Sequence, residues 1–229
     1  MDKVIEKLVR DTNPLISSVE RDAFIAASEK AFDCAFDGTS KFYPWVVPTN
    51  IPKKFKLGVI VGSSGSGKST LLKHFGTEEV PQWNPNKSIV SHFESPDDAI
   101  NKLGSVGLNT VPSWYKPYHV LSNGEKFRAD LARKLKSGAV IDEFTSVVDR
   151  TVAKAASISL SRFIDSNGLE NIIISTCHHD ILEWLQPDWV LNTDTGELLT
   201  GFFLSDQKSL SKYIAQTMIV GECLKTITI

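Results

Sequence analysis

No two cysteines of this 229-residue chain stand close together: Cys34, Cys177 and Cys223 are odd in number and form no CxxC pair. That spacing excludes a disulfide framework and a cysteine-held zinc site, so the three read as reduced thiols. Long apolar runs are missing too. Stretches such as Ile172 to Ile174 fall far short of the roughly 18 to 20 residues that cross a bilayer, and the chain is not expected to span a membrane alone. The opening MDKVIEKLVRDTNP alternates charged with apolar residues and lacks the apolar core of a secretory signal; cytoplasmic residence is the default expectation. Neither sign of charge dominates, with 25 basic against 27 acidic residues, a formal charge of −2 and no block of like charge to mark a nucleic-acid arm. Lys53, Lys54 and Lys56 read as a solvated face leading into a strand. The adjacent His178 and His179 point different ways on an extended segment, which is poor geometry for holding one metal. Internal repeats, low-complexity tracts and a clear linker are absent.

What is present is ordinary globular usage, 41% hydrophobic and 23% charged, at a length that suits one large α/β domain. Residues 1–40 carry two helix-like patterns, the second from Arg21 to Phe36 with Phe24, Ala27, Ala31 and Ala35 at helical spacing. FYPWVV then turns aromatic and β-branched, Pro48 and Pro52 break the run, and FKLGVIVG reads as a buried strand. A helix is predicted from Ser69 to Phe75, an irregular or helical lobe over 76–120, and an amphipathic helix from Glu125 to Leu135. Beyond it come a strand Ala139–Ile141, a helix from Arg150 to Asp165 closed by Asn167-Gly168, strands at Ile172–Thr176 and Trp189–Leu191, and a last helix from Ser205 to about Met218. Strands alternating with helices predict a mainly parallel sheet covered on both faces.

Gly62-Ser63-Ser64-Gly65-Ser66-Gly67-Lys68-Ser69 satisfies GxxxxGK[ST] between an apolar strand and a helix, the context that gives a P-loop its meaning. Its glycines let backbone N–H groups converge on phosphate oxygens, and the helix start at Lys68, Ser69 and Thr70 adds partial positive charge. Lys68 is expected at the β- and γ-phosphates of ATP, and the Ser69 hydroxyl at Mg²⁺. Asp142-Glu143 follows the strand Ala139–Ile141, so both carboxylates emerge at the sheet edge beside that loop. There Asp142 is suited to hold Mg²⁺ through a water, and Glu143 to polarise the attacking water.

With those motifs in place, Leu121-Ser122-Asn123-Gly124-Glu125 resembles the signature of ABC ATPases, and DEFTSVVD, Asp142 to Asp149, resembles their Walker B end and D-loop. The resemblance spans roughly residues 42–200 and implies an α/β P-loop NTPase fold, with a mainly parallel sheet flanked by helices and a small helical lobe carrying the signature. One domain is expected, divided into an N-terminal extension (1–41), a nucleotide-binding core (42–81 and 137–204), a signature lobe (82–136) and a C-terminal helix (205–229). In the family, the signature serine and glycine bind the γ-phosphate held by the opposite subunit. Ser122 and Gly124 match them, which implies a head-to-tail homodimer with shared ATP sites, Asp149 lying on the D-loop between them. Thr176-Cys177-His178-His179-Asp180 resembles the switch region, with His179 the better match because an Asp follows it. Tyr43 stands 25 residues before Lys68, where the family stacks an aromatic on adenine, although Phe42, Tyr43 and Trp45 equally suit a strand core. Glu125 replaces the usual Gln and Phe144 the usual Pro.

The family's phosphate-sensing glutamine, which also touches Mg²⁺ and the membrane partner, has its best candidate in Gln82, only 14 residues past Lys68; an ordinary loop residue is the alternative. The antiparallel hairpin that should precede it is missing from the pattern. A small lobe offers little surface to a transmembrane domain, so the expected partner is a soluble protein. LSNGE, CHHD and WLQPDWVLNTDTGEL also resemble ABC ATPases linked with GNAT acetyltransferases, including phage-encoded relatives. A membrane-transporter subunit and a DNA- or ribosome-associated ATPase are the alternative readings.

Overall fold

A computed structural model describes residues 5–201 and 210–215. Strand β1 (Ile5–Lys7), strand β2 (Leu15–Ser18), helix α1 (Ala23–Phe32) and strand β3 (Thr39–Phe42) precede the buried β4 (Leu57–Val61), which feeds α2 (Lys68–Leu72). The lobe follows as α3 (Pro96–Ser105), α4 (Val111–Trp114) and α5 (Asn123–Lys134), with 3-10 turns at Ile89–His92 and Tyr118–Val120. Then come β5 (Val140–Ile141), α6 (Arg150–Asn167), β6 (Ile172–Thr176), a 3-10 turn at His179–Ile181, α7 (Leu182–Leu185) and the pair β7 (Trp189–Asn192) and β8 (Glu197–Thr200).

Six strands form one sheet in the order β1-β8-β7-β4-β6-β5. β4 lies at its centre, parallel to both β6 and β7, while β5 is parallel to β6 and β8 is antiparallel to β7. All five residues of β4 and of β6 are buried, which is why they read as continuous apolar runs rather than alternating ones. Each face has its own core. Val59, Val61, Ile172 and Ile174 pack with Leu131 of α5 and Leu160 of α6 on one side. Ile60, Trp189, Leu191 and Leu198 pack with Leu71 and Leu72 of α2 on the other. The strand pairing β4 with β6, Leu57 opposite Ile172 through Val61 opposite Thr176, brings the start of the P-loop level with the residues after Thr176.

Helix α6 shows how local chemistry sets an element. Asp149 caps its start by accepting from the N–H groups of Thr151 and Val152, and Gly168 closes it in the left-handed region, with φ +59°. Between them Ala153, Ala156, Leu160, Phe163 and Ile164 recur at helical spacing and are buried.

The first helix-like pattern is overturned in the described residues: the segment before Arg21 forms β1 and β2 instead. β1 pairs antiparallel with β8, Ile5 opposite Leu199, and Lys7 meets Glu197 at 2.9 Å. Long-range pairing thus outweighs local periodicity, and part of the expected extension belongs to the central sheet. The second pattern gives the shorter α1, capped by Asp22 and ended by Asp33 at φ 51°. Residues 210–215 are helical; the rest of the predicted last helix, and Cys223, lie outside the described residues. Among the described residues no helix is long and apolar enough to cross a membrane.

Candidate functional site

The P-loop is held from beneath by the turn after β7. Asp194 Oδ1 accepts the Ser63 backbone N–H at 2.8 Å and the Ser63 hydroxyl at 2.7 Å. Burial by itself would raise the Asp194 pKa, but hydrogen bonds from His179 and Ser63 outweigh it and hold the carboxyl below its usual value. Ser66 Oγ lies 2.6 Å from Thr193 Oγ1, and the Trp45 indole donates to the Ser66 carbonyl at 3.1 Å. Two glycines are required by close approach. A Cβ on Gly62 would stand 2.0 Å from Thr193 Oγ1, and one on Gly67, at φ +98°, 2.7 Å from the Phe42 ring. Gly67 starts α2 with no side-chain cap and no acidic residue in the first turn, so the first N–H groups meet no internal carboxylate. Lys68 Nζ rests on the Ser63 carbonyl at 2.7 Å.

Ser64, Gly65 and Gly67 to Thr70 form one wall of a pocket of about 370 Å³, and Phe42, Glu143, Ser146 and Cys177 complete it. Glu143 reaches the pocket from the end of β5 through a left-handed backbone, φ 50°. Its N–H is shared between Asp142 Oδ1 at 2.9 Å and Ser175 Oγ at 3.2 Å, and the Ser175 hydroxyl donates to Asp142. The next residue, Phe144, is fully buried and packs 5.7 Å from the Phe127 ring of α5. Phe144 therefore pins the strand end to the lobe.

Asp142 and the Ser69 hydroxyl are hard oxygen donors of the kind Mg²⁺ takes. Among the described residues no cluster of three or more His, Cys, Asp or Glu forms a metal cage.

Ser122 caps α5 in a reciprocal capping box: its side chain accepts from the Glu125 N–H while Glu125 Oε2 accepts the Ser122 N–H at 2.9 Å. Ser113 donates to the same carboxylate at 2.5 Å. The Ser113 hydroxyl first, then the backbone and hydroxyl of Ser122, pull the Glu125 pKa down to about 2. Glu125 thus completes the cap of α5 and ties it to Ser113. Ser122 is exposed and Gly124 half-buried, and neither lines the phosphate pocket of its own chain.

Several expected site residues lie off this pocket wall, and Asp142 lines the neighbouring cleft beside α5, which Glu143 and Ser146 share. Tyr43 is 46% exposed and is not among the pocket-lining residues, while its neighbour Phe42, the last residue of β3, is. His179 is buried with Nε2 3.3 Å from Asp194 Oδ2, so it braces the P-loop support, and Cys177 occupies the pocket wall instead. His178 lies with Nδ1 2.9 Å from Thr145 Oγ1 on the D-loop. The Gln82 side-chain amide donates to the Val80 carbonyl at 3.3 Å, and the Gln82 backbone carbonyl accepts from Arg133 at 2.6 Å; the residue lines neither the P-loop pocket nor the cleft beside α5. Asp149 spends its carboxylate on capping α6. Phe42, Cys177, Ser175 and Asp194 are residues that sequence reasoning missed. Only Phe42, one of three aromatics before the loop, carried a signal.

This arrangement of sheet, P-loop, acidic strand end and separately capped lobe helix is the fold of ATP-binding cassettes. No family model matches the chain. It is 26% identical over 224 residues to EcfA1 of Caldanaerobacter subterraneus subsp. tengcongensis, an energy-coupling factor transporter ATP-binding protein, covering 77% of this chain and 80% of that one. Among solved structures it is similar to a dimeric post-hydrolysis state of the ATP-binding cassette MJ0796 bound to ADP and phosphate, with TM-score 0.52 and 15% identity over 82% of this chain and 94% of the other. It is also similar to cbiO1 from Clostridium perfringens, part of the ABC transporter complex cbiONQ, at TM-score 0.48 and 20% identity over 74% and 87%. These comparisons carry nothing on acetyltransferase-linked or phage-encoded cassettes.

Proposed function

We propose that this chain binds and hydrolyses ATP as a homodimer whose cycle drives a membrane transporter component. The observation that carries the ATPase reading is the single pocket in which the P-loop lysine and hydroxyls face Glu143. Phosphoryl transfer needs positioning and charge neutralisation more than covalent help from the protein. Lys68 and the N–H groups at the start of α2 hold the phosphates, Phe42 offers its ring to the adenine, and Glu143 orients the attacking water. Ser69 and Asp142 would hold Mg²⁺, which would supply charge neutralisation at the phosphates. Because His179 is taken up by Asp194, its expected contact with the γ-phosphate is not carried forward; it steadies the loop through Asp194.

The dimer reading rests on Ser122 and Gly124, which stand outside their own pocket and are free to close another copy's; the dimeric MJ0796 cassette has the same fold. The transporter reading rests on the relative, a transporter ATP-binding protein that aligns over most of both chains, and it displaces the soluble partner expected from the sequence. One observation keeps that second reading open: among the described residues no strand lies between α2 and α3, so the hairpin associated with transporter docking is absent. Affinity capture from detergent-solubilised cells with Glu143→Gln, in ATP and Mg²⁺, separates the two. A stoichiometric multi-span membrane protein supports the transporter role, whereas recovery of water-soluble proteins alone refutes it.

A further inference from the structure

Glu78 lies in the segment between α2 and the lobe, and no sequence motif marks it. Its Oε1 accepts from two groups far from it in the chain, Lys134 Nζ in α5 at 2.7 Å and the backbone N–H of Asp142 at 3.1 Å. The second bond fills a specific gap. Among the described residues β5 is the outermost strand of the sheet and pairs with β6 alone, so the amide that follows finds no described strand to bond on the open side. The Lys134 and Glu78 side chains are 17% and 25% exposed, against 55% and 68% for the neighbouring Lys136–Glu79 pair. Shielding from solvent makes the first pair the more constraining of the two.

The rest of the segment is fastened to the same helix. The Trp83 indole and the Tyr118 hydroxyl donate to the two oxygens of Asp130, at 2.7 Å and 2.5 Å. Arg133 donates to the Gln82 carbonyl at 2.6 Å and stacks 4.8 Å over the Trp83 ring. Asp130, Arg133 and Lys134 thus hold one strap, and Glu78 passes its position to the residue that precedes Glu143. Helix α5 itself starts at Ser122, the turn offered to a second copy. A helix is stiff along its axis, because each turn is locked by its own hydrogen bonds.

We propose that Glu78 is a positioning residue that ties α5 to the backbone of Asp142 and Glu143, so that seating the signature turn on a partner copy's phosphate is transmitted to the carboxylate that orients water. The inference rests on the dimeric ATPase reading, and its test separates the two. In the whole 229-residue chain, Glu78→Ala should speed amide hydrogen exchange at Asp142 at least about tenfold and lower kcat about 10- to 100-fold, as loss of an outer partner of a ligating group does. The dissociation constant for ATP should stay unchanged. Glu78→Gln keeps an acceptor for the amide but not the ion pair, so it should restore Asp142 protection, and adding Lys134→Ala to it should change kcat no further.

Equal Asp142 exchange in the native chain and Glu78→Ala overturns the proposal whether or not ATP is hydrolysed. Equal kcat in an active native chain and Glu78→Ala also overturns it. Faster exchange in Glu78→Ala, alongside a native chain that hydrolyses nothing, upholds Glu78's hold on Asp142 and sinks the ATPase reading instead. Should Glu78→Ala fail to fold, Lys134→Ala is compared in the native and Glu78→Gln backgrounds: lost kcat in the first alone supports the coupling, and equal loss in both overturns it.

Discussion

Two helices of this chain begin at glycine-bearing turns and solve their unpaired N–H groups in opposite ways. α2 starts at Gly67 with no side-chain cap, whereas α5 starts at Ser122 with a reciprocal box completed by Glu125. An uncapped start leaves donors for an external anion; a self-capped start is already satisfied and holds its shape without one. The difference separates two jobs. The P-loop half is built to bind phosphate, and the signature half is built to present a rigid turn that carries a carboxylate beside it.

Substitutions at the two halves should therefore differ in kind. The largest effect is expected from Glu143→Gln, which should lower kcat by about 10²- to 10⁴-fold, the range for loss of a general base, while ATP binding survives and a dimer accumulates on size exclusion in ATP and Mg²⁺. A variant that stays monomeric and turns over at the native rate removes Glu143 from its role. Lys68→Ala should weaken ATP binding about 100-fold, the scale of a lost charge-assisted contact, without a change in melting temperature. Calorimetric titration showing native affinity would place the phosphates elsewhere.

At the other half, Ser122→Arg should leave monomer affinity for ATP intact and block closure. Mixed with Lys68→Ala in equal amounts, it should recover activity several-fold above either alone, because one intact P-loop then faces one intact signature turn. No recovery argues against sharing between copies.

The smallest effect sharpens the contrast. Glu125→Gln should cost about 0.5 kcal/mol of stability at neutral pH, as loss of a carboxylate at a helix start does, yet strengthen ATP-dependent dimerisation by removing a negative charge from the phosphate-facing turn. Because folding lowers the Glu125 pKa from 4.5 to about 2, its stabilisation is complete above the unfolded value and fades as pH falls through about 2. Urea denaturation of the two proteins should converge over that window; a gap that persists at its acid end contradicts the assignment.

Which parts of this were legible in the sequence follows from the range of the forces involved. The P-loop, Asp142-Glu143 and the Ser122–Glu125 box are local, so spacing alone exposes them. Phe42 was missed for Tyr43 because spacing from Lys68 does not show that β3 ends at Phe42 and leaves Tyr43 in the loop beyond it. The adjacent His178 and His179 drew the switch reading past Cys177, the side chain that meets the pocket. β1 reads as helical until it pairs with β8 across the whole chain. Glu78 was illegible because its partners stand 56 and 64 residues away, a separation no window of sequence spans.

The exposed Cys177 on the pocket wall has a practical meaning of its own. A thiol-reactive fluorophore attached there sits beside the phosphates, and Cys34, likewise exposed just after α1, offers a second attachment point outside the pocket. The chain thus carries a built-in optical handle on its nucleotide cavity, together with an internal reference against which its signal can be read.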